Sequence, residues 1–356
     1  MELGILGLPK AGKTTLFNLL TAERAATDKF AQSREAHVAV ARVPDPRLAA
    51  LRDLFAPRKY TPASVRFVDI PGLERGQGSG NLDLVRLREV DALVHVVRTF
   101  EDPEIPHPAG SVDPVRDVRD VDLELILADL ELVERRLERL VQSAKRGLKP
   151  DEQRERDLLD GTVRPALESE RPLREVELSA DDERRLRGFQ LLSAKPLLVV
   201  VNIGEAELAA RGLEERRLQE RPGRREVVLC APLEEEISRL GPDEAAEFLA
   251  EYGLPEPSID RVIRAGYELL GVISFFTVGE DEVRAWTVRR GTTARRAGGA
   301  VHSDIERGFI RAEVVGWREL LDRGSIAACR EAGSLRLEGK DYVIQDGEVA
   351  HFRFNV

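Results

Sequence analysis

Cysteine is nearly absent from this chain: Cys230 and Cys329 are the only two. That argues against a disulfide framework and fits a reducing, cytoplasmic compartment. No apolar run approaches the roughly 20 residues that a membrane helix needs, so no membrane partner is expected. The N-terminus, MELGILGLPK, lacks a basic leader segment and carries an acid at Glu2, so it reads as a first strand rather than a signal peptide. Methionine occurs once and Lys is scarce beside Arg, a coding bias from which no function follows. Excess positive charge is missing too. The net charge is -10, so the molecule as a whole is no electrostatic glove for nucleic acid, although a local basic face is compatible with that value.

What the chain does hold is length and apolar content for more than one core. Its 356 residues are 42% hydrophobic and 33% charged, which points to two or three domains with soluble surfaces. Short aliphatic runs recur in the first region: LGILGL, SVRFVDI, ALVHVVR, PLLVVVN and EVVLCA. They are continuous rather than alternating, as expected of parallel strands covered on both faces. Helical segments lie between most of them. The pattern predicts an α/β fold with a mostly parallel, doubly wound sheet over residues 1–113 and 193–271.

A helical region interrupts that sheet. Leu123, Ile126, Leu130, Val133, Leu137 and Leu140 follow 3-4-3-4-3 spacing, one narrow apolar seam on a long helix. Lys145, Arg146 and Gly147 make its C-terminal end. Ser179 followed by Asp182 reads as the capping box of a returning helix through Leu186, Phe189 and Leu192. The expectation is a projecting α-helical coiled-coil hairpin over residues 114–192, with a helix that merely covers the sheet as the plainer alternative. From 272 to 356, ISFFTV, EVRAWTV, IRAEVVGW, DYVIQ and VAHFRFNV read as strands interrupted by a short helix, a β-rich α+β module.

The chemistry sits at the first strand-to-helix turn. GLPKAGKTT matches G-x-x-x-x-G-K-[ST] at Gly7, Gly12, Lys13 and Thr14, between a strand and a helix start. Such a loop, here Lys10, Ala11, Gly12, Lys13, Thr14 and Thr15, wraps phosphates in backbone N–H groups backed by the positive helix end. Lys13 would bridge the β- and γ-phosphates of a nucleotide, and Thr14 would hold Mg²⁺. In VRFVDIPGLERG, Asp69 ends a strand; an acid there holds Mg²⁺, and the Gly72 N–H senses a γ-phosphate. Leu73 follows that glycine, and Leu cannot orient a water molecule. Either another group positions the water, or hydrolysis is slow.

These residues resemble the Obg-like ATPases, YchF subfamily, of the P-loop NTPases. The carriers are GLPKAGKTTLFN, VPDPRL, FVDIPGL, DALVHVVRTFED, AGSVDP, NIGE, RVIRAGYELLG and the C-terminal run LEGKDYVIQDGEVAHFRFNV. The resemblance covers nearly the whole chain. It implies a nucleotide domain, an inserted helical coiled coil and a C-terminal TGS domain, together with ribosome association and a link to translation or stress responses.

Base choice is read in Asn202-Ile203-Gly204-Glu205, where GTPases carry Asn-Lys-x-Asp. In the GTPase turn the Asp accepts from guanine N1–H and the 2-amino group, and the Lys stem covers the base. Here Ile203 supplies an apolar cover, and Glu205 is one methylene too long for the guanine edge. Adenine offers N6–H₂ and N7, which suit the Asn202 amide. The resemblance also associates this turn with ATP. Cys230, Ala231 and Pro232 resemble the last nucleotide-binding element, where backbone N–H groups meet the base; a plain strand-end role for Asn202 is the alternative. Cys230 reads as a packing thiol before a redox handle.

The family pattern is broken in places. Lys10 stands where the family has Asn, and its ammonium would take the position of a potassium ion at the β- and γ-phosphates, unless it simply faces solvent. Thr14 replaces Ser. Aligned backward from VPDPRL, Ser33 takes the place of the Thr that reaches Mg²⁺. The resemblance also makes His107, in EDPEIPHPAGSVDP, a mobile catalytic residue; a solvated loop histidine is the alternative. His95, inside an apolar strand, reads as a satisfied core histidine, and His302 as structural.

Two functions of different class follow. One is a slow, Mg²⁺-dependent ATPase switch, a monomer that cycles between ATP and ADP and docks on the ribosome or its RNA through the helical hairpin and the TGS domain. The other is a ribosome- or RNA-bound adaptor whose nucleotide is structural. The Arg-rich stretches RRLERLVQSAKRGLK and TVRRGTTARR suit contact with RNA phosphates, with a plain solvated helix face or turn as the alternative.

Overall fold

The computed structural model describes residues 1–27, 38–70, 83–145, 147–211 and 221–355. They form two compact units, Met1–Ala41 with Arg66–Leu269, and Arg42–Val65 with Leu270–Val356. The first unit is built on strands β1 (Glu2–Leu6), β2 (Val38–Arg42), β4 (Ser64–Asp69), β5 (Ala92–Arg98), β6 (Leu197–Asn202) and β7 (Arg224–Leu229), in the order β2-β4-β1-β5-β6-β7. β1 pairs in parallel with β4 and with β5, and β5, β6 and β7 continue in parallel. Every residue of β5 and β6 is buried, which is why those runs show no polar alternation. The strand succession reverses direction between β1 and β5. The loop after β1 therefore opens at the switch point where α/β sheets take their ligands.

The helix Pro114–Ala144 fulfils both readings of its seam, each over part of its length. Asp113 caps it by accepting from the Arg116 N–H, and Pro114 preorganises its first turn. Val118, Val121 and Leu125 then pack into the core of the sheet. Beyond them Ile126, Val133, Leu137 and Leu140 build a separate core with Leu158, Val163 and Leu167. The returning limb differs from the expectation. It is the segment Pro150–Leu158, a π-helical turn Leu159–Val163 and Arg164–Glu168. Ser179 does cap a helix, accepting from the Asp182 N–H, but that helix ends at Leu186, and Gln190 turns left-handed at φ +50°. Apolar residues are sparse in the charged stretch 150–168, and the π turn shifts their spacing, so the true return carries little periodic signal. Asp129 pins the root of the insertion. Its buried carboxylate accepts the Leu192 N–H at 2.9 Å, the Ser193 N–H at 2.8 Å and Arg88 Nη1 at 3.1 Å. Burial raises its pKa against those bonds. Among the described residues no helix is long and apolar enough to cross a membrane.

The second unit holds β3 (Lys59–Thr61), β8 (Val272–Thr277), β9 (Glu282–Arg289), β10 (Phe309–Gly316), β11 (Arg336–Glu338) and β12 (Glu348–Phe354), in the order β11-β10-β12-β8-β9-β3. The presence of β3 there departs from a nucleotide domain that keeps residues 1–113 whole. β3 pairs in parallel with β9, Lys59 opposite Glu282 and Thr61 opposite Arg284. The helix Pro46–Phe55 packs on β9 and on the helix Trp317–Arg323. Arg47 secures it, with Nη1 2.8 Å from Asp346 Oδ2 and its guanidinium 5.4 Å from the Phe276 ring centre. Leu48 and Leu51 of this helix are fully buried. Leu48→Ala should cost about 2–5 kcal/mol. In native-state hydrogen exchange the lost protection should fall on β8 and β9, not on β1 and β5; loss confined to β1 and β5 would refute this allocation of residues 42–65.

Candidate functional site

At the end of β1 the backbone has no room for a side chain. Gly7 sits at φ +144°, and a Cβ there would lie 2.5 Å from the Val96 carbonyl oxygen. The loop closes at Gly12, φ +102°, whose carbonyl accepts the Leu16 N–H at 2.9 Å to start the helix Lys13–Thr27. Lys13 Nζ donates to the carbonyls of Gly7 and Leu8 at 2.9 and 2.8 Å, so the ammonium lies across the loop mouth. Burial pushes it below the usual lysine range, with the Asp69 charge acting in the opposite direction. Asp69 ends β4 opposite Ile5 of β1. Thr14 is exposed, Thr15 half-buried and Ala11 buried. Lys10 is exposed and takes the left-handed conformation at φ +63°, which costs an L-residue with a long side chain and which Asn tolerates.

Asn202 joins this loop to the other predicted elements. Its Nδ2 donates to the Ala11 carbonyl at 3.2 Å, and its Oδ1 accepts the Ala231 N–H at 3.3 Å. The residue is 4% exposed, so both of these bonds are shielded from water. A Cβ on Gly12 would lie 2.5 Å from that Nδ2. The loop Gly7–Thr15, the turn Asn202–Glu205 and the segment Cys230-Ala231-Pro232 thus meet on one side chain. Glu205 is exposed at the first turn of the helix Glu205–Arg211, and Pro232 is exposed at the start of the helix Ala231–Ile237. Ile203 corrects the expectation of a base cover. It is fully buried in the sheet core, and its N–H is taken by the Leu229 carbonyl. Cys230 is buried as well, and burial raises its thiol pKa, which favours the packing role.

His107 is held rather than solvated. Its Nε2 lies 2.9 Å from Asp117 Oδ2, and its Nδ1 accepts the Ala109 N–H at 3.2 Å. Nε2 therefore carries the hydrogen. Arg116 closes on the other oxygen of Asp117. The sequence reading missed Asp117, which is one of three acids in DPVRDVRD with nothing to set it apart. His302 is structural: its Nδ1 accepts the Asp304 N–H at 3.2 Å. His95 lies in the core as expected but is not satisfied there: among the described residues neither ring nitrogen has a partner. Its Cδ2 sits 3.3 Å from where a Gly7 Cβ would stand, directly beneath the phosphate loop. Ser33, Gly72 and Leu73 lie outside the described residues.

Comparison with known proteins bears on the whole chain. A family described as 50S ribosome-binding GTPase matches residues 2–128, and the YchF-GTPase C-terminal family, described as a protein of unknown function, matches residues 272–355. The sequence is 43% identical to a protein of Bacillus subtilis named ribosome-binding ATPase YchF, over 99% of each chain. It is 37% identical to Obg-like ATPase 1 of Oryza sativa subsp. japonica, over 100% of this chain and 92% of that one. The solved YchF GTPase of Schizosaccharomyces pombe is similar in structure, with a TM-score of 0.88 and 32% identity over 99% of this chain and 97% of that one.

The buried imidazole of His95 has its pKa pushed down to about 3, first by burial and then by the charges of Lys13, Arg174 and Arg224. The unfolded chain takes up this proton near pH 6.5, while the folded chain refuses it until about pH 3. Stability is therefore lost as pH falls through that window, by up to about 1.4 kcal/mol per pH unit. The fall in Tm between pH 7.5 and pH 5 should be smaller in His95→Leu than in the parent; equal falls would show that His95 contributes nothing to acid lability. Lys10→Asn should raise the urea midpoint by the equivalent of about 0.5–1 kcal/mol, by relieving the left-handed backbone; a lower midpoint would mean that the Lys10 side chain is held by contacts of its own.

Proposed function

The chain belongs to the YchF family of Obg-like ATPases, and from that premise we propose that it binds and slowly hydrolyses ATP as a Mg²⁺-dependent switch that docks on the ribosome. The observation that carries the nucleotide reading is the Asn202 amide, which holds the phosphate loop and the Ala231 segment at fixed separation. Positioning of this kind is most of what a phosphoryl-transfer enzyme supplies. The donor set suits a hard cation: the Thr14 hydroxyl and the Asp69 carboxylate would offer it oxygen ligands. Mg²⁺ bound there would neutralise charge on the β- and γ-phosphates. Lys13 would exchange its two loop carbonyls for phosphate oxygens, which its buried ammonium favours because burial strengthens the pairing.

The ATP preference rests on less than the full turn. With Ile203 in the core, discrimination falls to Asn202 and Glu205. The Asn202 amide keeps one N–H and one lone pair beyond those used on the backbone, a matched pair for adenine N7 and N6–H₂. A catalytic role for His107 requires its release from Asp117. Arg289, Arg290, Arg295 and Arg296 are exposed on the C-terminal unit, as contact with ribosomal RNA requires. A cytoplasmic monomer fits this reading.

Calorimetry on the purified chain should give ADP and ATP affinities several-fold tighter than those for GDP and GTP, and ribosomes should raise a slow ATP turnover. Equal or reversed affinities would remove the adenine reading of the turn. Tight binding with no turnover, with or without ribosomes, would leave the adaptor function in its place.

A further inference from the structure

The C-terminal ends of β5 and β6 are joined by more than the sheet ladder. Arg98 and Asn202 are register partners, and one residue on, the Thr99 N–H donates to the Asn202 carbonyl at 3.1 Å. The Thr99 hydroxyl stands 2.6 Å from Glu207 Oε2 and 3.3 Å from the Asn202 carbonyl oxygen. A hydroxyl has one hydrogen to give. The carbonyl is already served by the Thr99 amide, so the hydrogen goes to the carboxylate, at the shorter and charge-assisted distance. The same carboxylate oxygen accepts the Gly204 N–H at 3.3 Å. Glu207 therefore reaches from the helix Glu205–Arg211 back across the base turn to the end of β5. Gly204 leaves no slack between them: a Cβ there would lie 3.1 Å from Phe100 Cβ.

This contact continues into the histidine loop. Arg98 is 3% exposed, and its Nη1 donates to the Ile105 carbonyl at 2.9 Å, just ahead of His107. His107 in turn is fixed to Asp117 on the helix that enters the insertion. We propose that Thr99 and Glu207 are positioning residues, a latch that sets the shape of the base turn and so governs purine affinity. It is Glu207, not the exposed Glu205, that shapes the turn, which leaves Glu205 available to the base. This inference rests on the nucleotide reading above, because the turn must be the one that meets the base.

The full-length protein tests it through Thr99→Val, which removes the hydroxyl at nearly constant volume, Thr99→Ser, which keeps it, Glu207→Ala and the double variant Thr99→Val/Glu207→Ala. Thr99→Val should weaken ADP about tenfold, the loss of one charge-assisted hydrogen bond. It should narrow the ADP-to-GDP affinity ratio and raise KM more than it lowers kcat. Thr99→Ser should restore ADP affinity to within about twofold of the parent. Glu207→Ala should lose at least as much as Thr99→Val, because it also gives up the Gly204 N–H contact, and the double variant no more than Glu207→Ala alone, since the Thr99 hydroxyl then has no carboxylate to serve. Hydrogen exchange at Gly204 and the following amides, measured without nucleotide, should quicken in Thr99→Val. Unchanged ADP affinity and exchange in Thr99→Val, or losses that simply add, overturn the latch. If the parent protein itself binds ADP and GDP equally, the adenine reading fails instead, and the latch is still decided by ADP affinity and exchange. Should Glu207→Ala not fold, the Val and Ser variants of Thr99 decide alone.

Discussion

One buried amide sets the geometry on which the site depends. Asn202 gives a hydrogen to Ala11 in the loop after β1 and takes one from Ala231, which opens the helix after β7. Were it absent, a buried carbonyl and a buried N–H would be left without partners, at about 1–3 kcal/mol each. Its presence also dictates the neighbouring residue, because a Cβ on Gly12 cannot coexist with an amide nitrogen 2.5 Å away. The loops are held in shape by the protein before any ligand contributes, so little binding energy goes to ordering them. That is a reason for the motif glycine distinct from the approach of phosphate.

The helix Pro114–Ala144 extends the same order outward. It begins as a cover of the sheet and ends as one limb of the insertion without a break between the two. A helix that enters the sheet core at Val118 and the second core at Ile126 transmits tilt rather than absorbing it, since close-packed cores do not deform continuously. Asp129 fixes the return of the chain at the changeover. The histidine loop, the first turn of this helix and the end of β5 are thereby coupled by direct contacts.

How much of this was legible in the sequence depended on whether the signal was local. The turn at Gly7–Thr15 carries a local signal because strand, glycines and lysine follow one another within a few residues, and Asp69 carries its own because it ends an apolar strand just before Pro71-Gly72. The buried strands could be read because continuous aliphatic runs have few other uses. Ile203 was misread because a core residue and a base cover are both simply apolar, and only the fold decides which way the side chain faces. The return limb was misplaced because a π turn breaks its period. Asp117 and Glu207 gave no sign because their partners, His107 and Thr99, are matched by folding and not by spacing. β3 was hidden because it is three residues long and its partner strand begins at Glu282.

That last feature bears on how the protein is made. Residues 42–65 leave the ribosome early, yet the unit they complete begins again only at Leu270, about 200 residues later. At roughly 5–20 residues per second the helix carrying Leu48 and Leu51 waits on the order of ten to forty seconds for the strands that will cover it. During that wait its apolar face has no native partner, and the nucleotide sheet must form around a loop that cannot yet settle. For the same reason the C-terminal unit cannot be lost or exchanged by cutting the gene at a single point.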